Sequence, residues 1–130
     1  MGRKDIVIGT EACEQEALFA WAEYQKGKYP ELELMYHIPN GGSRNKAEAA
    51  RLKAQGVKPG VPDICLPVPR GKYHGLYIEL KRTKGGRISS DQTVWLEKLM
   101  HQGYAVALCL GWDDARDVII KYLEVNHEHT

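Results

Sequence analysis

Long apolar runs, disulfide patterns and a strong excess of one charge are all missing from this sequence. No stretch approaches the roughly 20 consecutive apolar residues that span a bilayer, and the first apolar run, Ile6 to Ile8, is too short for a secretory signal. The three cysteines are an odd number without a CxxC pair, which indicates buried free thiols. We therefore expect a cytoplasmic protein that does not contact membranes.

The composition is that of an ordinary globular domain. We expect one domain over residues 1–130, with its core at about 10–123 and a polar tail at 124–130. The net charge of +1 does not indicate a general nucleic-acid binder, but the basic residues are clustered. The first cluster shares its segment with a single acid and consists of Arg44, Lys46, Arg51, Lys53 and Lys58. The second cluster contains no acid and consists of Lys81, Arg82, Lys84 and Arg87. Such clusters are as often solvated faces as binding surfaces.

Hydrophobic periodicity and turn residues predict alternating helices and strands. Helices are expected near residues 11–26, 45–55, 89–101 and 112–123. Strands are expected at 32–36, 63–68, 75–82 and 104–110, the second and third forming a hairpin. The last strand is nearly all apolar, which is typical of a strand buried on both faces. The order α-β-(α)-β-β-α-β-α predicts a mixed α/β fold.

Acidic and basic side chains alternate with apolar ones in the predicted strand around Glu79. Strand alternation places Tyr77, Glu79 and Lys81 on one face. Asp63 begins the preceding strand of the hairpin, so antiparallel pairing brings its carboxylate near Glu79. Two carboxylates in one site repel each other unless a cation lies between them, and a hard ion such as Mg²⁺ suits oxygen ligands. The alternative is an ordinary cross-strand ion pair of Lys81 on a solvent-facing sheet.

The segments around these residues resemble a known nuclease family. Pro62-Asp63 followed by Glu79-Leu80-Lys81 resembles the PD-(D/E)xK nuclease signature. Further stretches, over about residues 10–123, resemble the VRR-NUC family in its stand-alone phage and bacterial form. These stretches are Ile38-Pro39-Asn40-Gly41-Gly42, the run from Lys53 to Asp63, Ser89-Ser90-Asp91-Gln92 and Gly103-Tyr104-Ala105-Val106.

The resemblance implies a restriction-endonuclease-like fold, a mixed β-sheet flanked by helices, and hydrolysis of DNA that depends on Mg²⁺ or Mn²⁺. It implies that Asp63 and Glu79 bind the metal and that Lys81 is the catalytic lysine. The family's helical glutamate corresponds to Glu11, which would reach the metal through water, although Glu14 competes for this role. Glu11 alternatively does no more than favour the start of its helix.

Several other residues receive roles from this resemblance or from their position in the sequence. Gln92 matches the glutamine that the superfamily often places near the attacking water, and the alternative is a surface helix residue. Residues expected to contact DNA are Asn40, Gly41, Gly42, Ser43, Arg44, Lys46, Arg51, Lys53, Lys58, Arg82, Lys84 and Arg87. The three tryptophans are expected to pack in the core, and the alternative is that they stack on bases.

The sequence thus favours an endonuclease that selects branched or four-way-junction DNA by structure rather than by sequence. Stand-alone members of the resembled family are expected to act as homodimers, so that two sites cut two strands. Nothing in the residues identifies the dimer surface, and the apolar last helix is one candidate. The alternatives are a DNA-binding module without catalysis and an interaction subunit of a phage replication or packaging assembly.

Overall fold

Four strands in the spatial order β1-β2-β3-β4 form a single mixed sheet in this computed structural model, which describes residues 10–39 and 45–125. The elements in chain order are α1 (Glu11–Gln25), a 3-10 helix (Pro30–Leu34), β1 (Tyr36–His37), α2 (Lys46–Ala54), β2 (Ile64–Leu66), β3 (Leu76–Lys81), α3 (Ser90–His101), β4 (Ala105–Leu110) and α4 (Trp112–Leu123). The predicted α/β class and element order are confirmed. No helix among the described residues has the length and apolar character needed to cross a bilayer.

Capping side chains define where the two helices that border the site begin. The Thr10 hydroxyl accepts a hydrogen bond from the Cys13 amide at the start of α1. At the start of α3, the Ser89 hydroxyl accepts from the Gln92 amide, and the Gln92 side chain accepts from the Ser89 amide. This reciprocal capping box satisfies two amides that a helix terminus leaves without partners. Both starts therefore follow from local sequence.

The strand register determines which side chains share a face. The β2–β3 pair is antiparallel with Ile64 opposite Ile78, so Asp63, directly before β2, lies opposite Glu79. The β3–β4 pair is parallel with Glu79 beside Leu108, which is the arrangement expected when helix α3 connects the two strands. The predicted hairpin is thus present, and it places two carboxylates side by side.

The core lies between one face of the sheet and helices α1 and α4. Its fully buried side chains come from the sheet and from both helices: Leu18 of α1, Ile64, Leu66, Leu76, Ile78 and Leu80 of the sheet, and Ile119 of α4. Helix α4 also buries Ala115 and Tyr122 in this core, so the structure gives no support to its apolar face as a dimer surface.

Two predictions about strands are wrong. The segment predicted as a strand at 32–36 is mostly the 3-10 helix Pro30–Leu34, because Pro30 favours a helical first turn, and only Tyr36–His37 is extended. The strand β4 is not buried on both faces, since it lies at the sheet edge with Leu108 and Leu110 43% and 48% exposed. An apolar run indicates a strand but does not reveal whether another element covers it.

Candidate active site

The carboxylate of Asp63 is fixed against the neighbouring strand. Its Oδ2 accepts a hydrogen bond of 2.8 Å from the backbone amide of Leu80. Its backbone carbonyl accepts from the Ile38 amide at 2.7 Å, which ties the same residue to the end of β1. Asp63 is partly buried and therefore presents a preorganised carboxylate next to β3.

Glu79 is a buried acid with one oxygen left unsatisfied. Its side chain is 1% exposed, and Oε2 accepts a hydrogen bond of 2.7 Å from Gln92 Nε2. The other oxygen, Oε1, is buried without a hydrogen-bond partner among the described residues. Burial and the nearby Asp63 raise the pKa of Glu79 to about 8, although Lys81 acts in the opposite direction. Such an orphaned acceptor is costly unless something binds to it.

Lys81 extends from the same face of β3 and lies between two carboxylates. Its Nζ is 3.5 Å from Glu79 Oε2 and 3.8 Å from Glu11 Oε2. The lysine side chain is only 9% exposed, whereas that of Glu11 is 49% exposed. A buried ammonium with a partner on each side has few available orientations, so its position near Glu79 is well defined.

Glu11 and Glu14, the two candidates for the helical glutamate, make different contacts. Glu14 is buried, and its Oε1 accepts from the Trp112 amide at 2.8 Å, while its Oε2 accepts from the Thr83 hydroxyl at 3.4 Å. Glu14 thus accepts a hydrogen bond from a backbone amide in the first turn of α4 and connects α1 to α4 and to the segment after β3. Glu11 alone is positioned toward Lys81, and Gln15, one turn further along α1, has a buried Oε1 without a partner in the described part of the chain.

The residues present suit a hard divalent cation. Asp63 and Glu79 supply oxygen ligands from adjacent strands, and the unsatisfied Glu79 Oε1 is a buried acceptor of the kind a cation would use. Among residues 10–39 and 45–125, no three His, Cys, Asp or Glu side chains cluster closely enough to form a complete cage. Mg²⁺ commonly takes one or two carboxylates and keeps several waters, so this pair fits its preferences.

The predicted DNA contacts divide into separate groups around this centre. Lys53 and Lys58 line a cavity that also contains Gln92, and Arg82 and Arg87 line a second cavity that contains Glu11. Neither cavity includes Lys46, Arg51 or Lys84, which are exposed elsewhere on the surface. The other five predicted residues, Asn40, Gly41, Gly42, Ser43 and Arg44, lie outside the described residues.

One of the three tryptophans does not pack in the core as predicted. Trp21 and Trp112 pack against the hydrophobic core as expected, but Trp95 is partly buried and does not belong to that cluster. It lies one helical turn after Gln92 on α3. The spacing of three residues could have indicated that Trp95 lies on the same helix face as Gln92, because residues i and i+3 of a helix are neighbours.

Comparisons with known proteins agree with this geometry. A sequence profile described as the VRR-NUC domain matches residues 9–113, a range that contains the hairpin with its two carboxylates and the start of α3. The solved structure of a VRR_NUC domain protein has a TM-score of 0.79 to this chain and is 33% identical, covering 90% of each chain. No curated protein is significantly similar in sequence. The profile match and the shared fold together establish that this chain belongs to the VRR-NUC family.

Proposed function

We propose that this protein is an Mg²⁺- or Mn²⁺-dependent DNA endonuclease that hydrolyses phosphodiester bonds. The observation that carries the proposal is the opposed pair of Asp63 and Glu79, with the unsatisfied Glu79 Oε1 and the buried Lys81 beside it. A bound divalent ion would supply Lewis acidity to the scissile phosphate and lower the pKa of an attacking water. In this assignment Asp63 and Glu79 hold the metal directly.

Each remaining side chain of the site has a distinct task in the proposed reaction. The Lys81 ammonium, fixed between Glu79 and Glu11, donates hydrogen bonds to the attacking water or to the charge that develops on the phosphorane. Gln92 donates to Glu79 Oε2 and so leaves the other oxygen, Oε1, available to hold a divalent ion. Glu11 orients Lys81 and would contact the ion through water.

We propose that the substrate is branched DNA, with the four-way junction preferred. The cations of both cavities, Lys53 and Lys58 on one side and Arg82 and Arg87 on the other, would contact phosphates that flank the cut. Phosphate contacts position a backbone without reading bases, which supports selection by structure. The site of action would be the cytoplasm.

A homodimer is the second part of this proposal, because two strands of a junction need two sites. The exposed Leu108 and Leu110 of β4 support it, since they lie beside Glu79 and Lys81 in the parallel register. A second copy that covers this edge would bring two active sites close together, and an exposed apolar edge strand is a common contact surface.

Cleavage assays test this function. We expect the protein to cut a four-way junction faster than linear duplex in Mg²⁺ or Mn²⁺ and to cut neither in EDTA. DNA that is bound but not cut with any metal would favour a non-catalytic binding module. Absence of both binding and cutting would favour an interaction subunit of a larger assembly, and either outcome would overturn the nuclease assignment.

A further inference from the structure

A groove on the outer side of α3 continues from the candidate active site. It is lined by Trp95, the apolar side chains of Val94 and Leu99, and the cations of Lys58 and Lys98. Lys58 also lines the cavity that contains Gln92, so the groove and that cavity meet at this lysine. Trp95 follows Gln92 by one turn of α3, and Gln92 donates to Glu79 Oε2 of the candidate site.

The chemistry of this groove favours a polyanion with flat apolar groups. Trp95 is partly buried outside the core cluster, and Val94 beside it is 45% exposed. None of the described residues that line the groove is acidic. A symmetric dimer formed through this groove is disfavoured, because it would bring the lysines of one copy close to the lysines of the other and like charges repel. Nucleic acid supplies phosphates for the lysines and bases for the indole.

We propose that the groove formed by Lys58, Trp95 and Lys98, which we call the stacking groove, binds unpaired bases of the DNA strand next to the cut. Trp95 stacks on a base, and the two lysines contact the phosphates on either side of it. Paired bases are already stacked inside a duplex, so only an unpaired segment can use Trp95. The inference rests on the proposed function and adds that branched DNA with an unpaired strand at the branch gains a contact that fully paired DNA lacks.

Binding without catalysis tests the stacking groove. In EDTA, the affinities of the full chain are measured for an oligothymidylate of about 12 nucleotides and for an abasic strand of equal length and charge. We expect Trp95→Ala to weaken thymidylate binding about tenfold and to leave abasic binding unchanged, because stacking requires a base. Trp95→Phe retains an aromatic face and should keep most of the affinity, which also controls for misfolding.

Charge substitutions separate the phosphate contacts from stacking. Lys58→Gln and Lys98→Gln should weaken both probes by similar factors, and each should reduce the slope of log affinity against log salt by about 0.7. Lys121→Gln, which changes an exposed lysine of α4, should alter neither the affinity for the two probes nor the salt dependence of binding. Equal effects of Trp95→Ala on both probes, or none, would overturn the stacking groove.

Three further outcomes separate failure of the stacking groove from failure of the nuclease proposal. A Trp95→Ala variant that changes from dimer to monomer in light scattering, with thymidylate affinity unchanged, would show that a second copy occupies the groove and would contradict the proposal. A wild-type protein that cuts duplex DNA but does not bind thymidylate would overturn the stacking groove and leave the nuclease intact. Binding that depends on Trp95 without cleavage in any metal would overturn only the nuclease.

Discussion

Glu79 carries most of the unusual chemistry of this molecule at the scale of single residues. Its pKa is raised from an ordinary 4.5 to about 8, because it is buried and faces Asp63. Between these two values the folded chain retains a proton that the unfolded chain releases. The contribution of Glu79 to stability is therefore complete at low pH and is lost as the pH rises to about 8, with no further loss above it.

This titration predicts how the metal-free protein responds to pH. In EDTA, the urea midpoint should fall between about pH 5 and about pH 8 in wild type, and the fall should be smaller in Glu79→Gln, which cannot ionise. Glu97→Gln, a change at an exposed carboxylate of α3, serves as the control. Added Mg²⁺ should restore the midpoint at pH 8 in wild type only, by linkage. An equal fall of the urea midpoint with pH in Glu79→Gln and wild type would contradict a raised pKa of Glu79.

The two acidic side chains in the first turn of α1, Glu11 and Glu14, should respond in opposite ways to substitution. Glu14→Ala removes the acceptor of the Trp112 amide and should cost about 1–3 kcal/mol of stability, with cleavage by the folded fraction little changed. Glu11→Ala should leave stability almost unchanged, because its side chain is 49% exposed, but should slow cleavage about 10- to 100-fold. Denaturant unfolding measures the change in stability, and single-turnover rates measure the change in cleavage. Loss of stability in Glu11→Ala with slow cleavage in Glu14→Ala would contradict these roles.

Sequence reasoning was effective at the residue scale where local rules apply. Strand alternation and hairpin pairing were enough to place Asp63, Glu79 and Lys81 together. The task of Glu14 was not predictable, since its partner Trp112 is 98 residues away and contacts it only after α4 packs on α1. The unsatisfied oxygen of Glu79 likewise depends on burial, which the sequence does not specify.

At the scale of elements, the loop before β2 is held tightly against the start of α3. Gly60 has a φ of +91°, and a Cβ there would lie 2.7 Å from the backbone carbon of Asp91. This close contact joins the segment that leads to Asp63 to the helix that carries Gln92. Both ends of the site are thus positioned by one glycine contact.

Substitution of Gly60 should therefore affect both stability and cleavage. Gly60→Ala should cost on the order of 1–3 kcal/mol through backbone strain, and it should also slow cleavage by the folded protein because Asp63 and Gln92 move apart. Gly56 is the matched control, since its φ is +99° but no atom lies within 4 Å of an added Cβ. Gly56→Ala should lose stability alone. Equal cleavage rates for the two folded variants would contradict a positioning role for the Gly60 contact.

The elements were predictable where their signals were local. Hydrophobic periodicity and turn residues located α3 and the turns on either side of it. The 3-10 helix after α1 was missed although Pro30 favours a helical first turn. The exposure of β4 was missed because it depends on how neighbouring elements pack. Periodicity reports which residues are apolar, whereas tertiary structure decides which of them are covered.

The exposed edge of β4 is the feature that matters at the scale of the whole molecule. If a second copy covers it, Leu108→Lys with Leu110→Lys should convert a dimer into a monomer in light scattering, because charge is then placed in an apolar contact. Tyr24→Lys on α1, where the side chain is 87% exposed, should leave the dimer intact. A wild-type monomer, or a double variant that stays dimeric, would contradict this interface.

The most direct test of the nuclease site is single-turnover cleavage of a four-way junction in Mg²⁺ by wild type and by Asp63→Asn. Asparagine keeps an oxygen that can accept from the Leu80 amide but removes the charge that binds metal. The account predicts metal-dependent cutting by wild type and a loss of at least about 100-fold in the variant, at unchanged junction affinity in EDTA. Cutting by Asp63→Asn at the wild-type rate would contradict it.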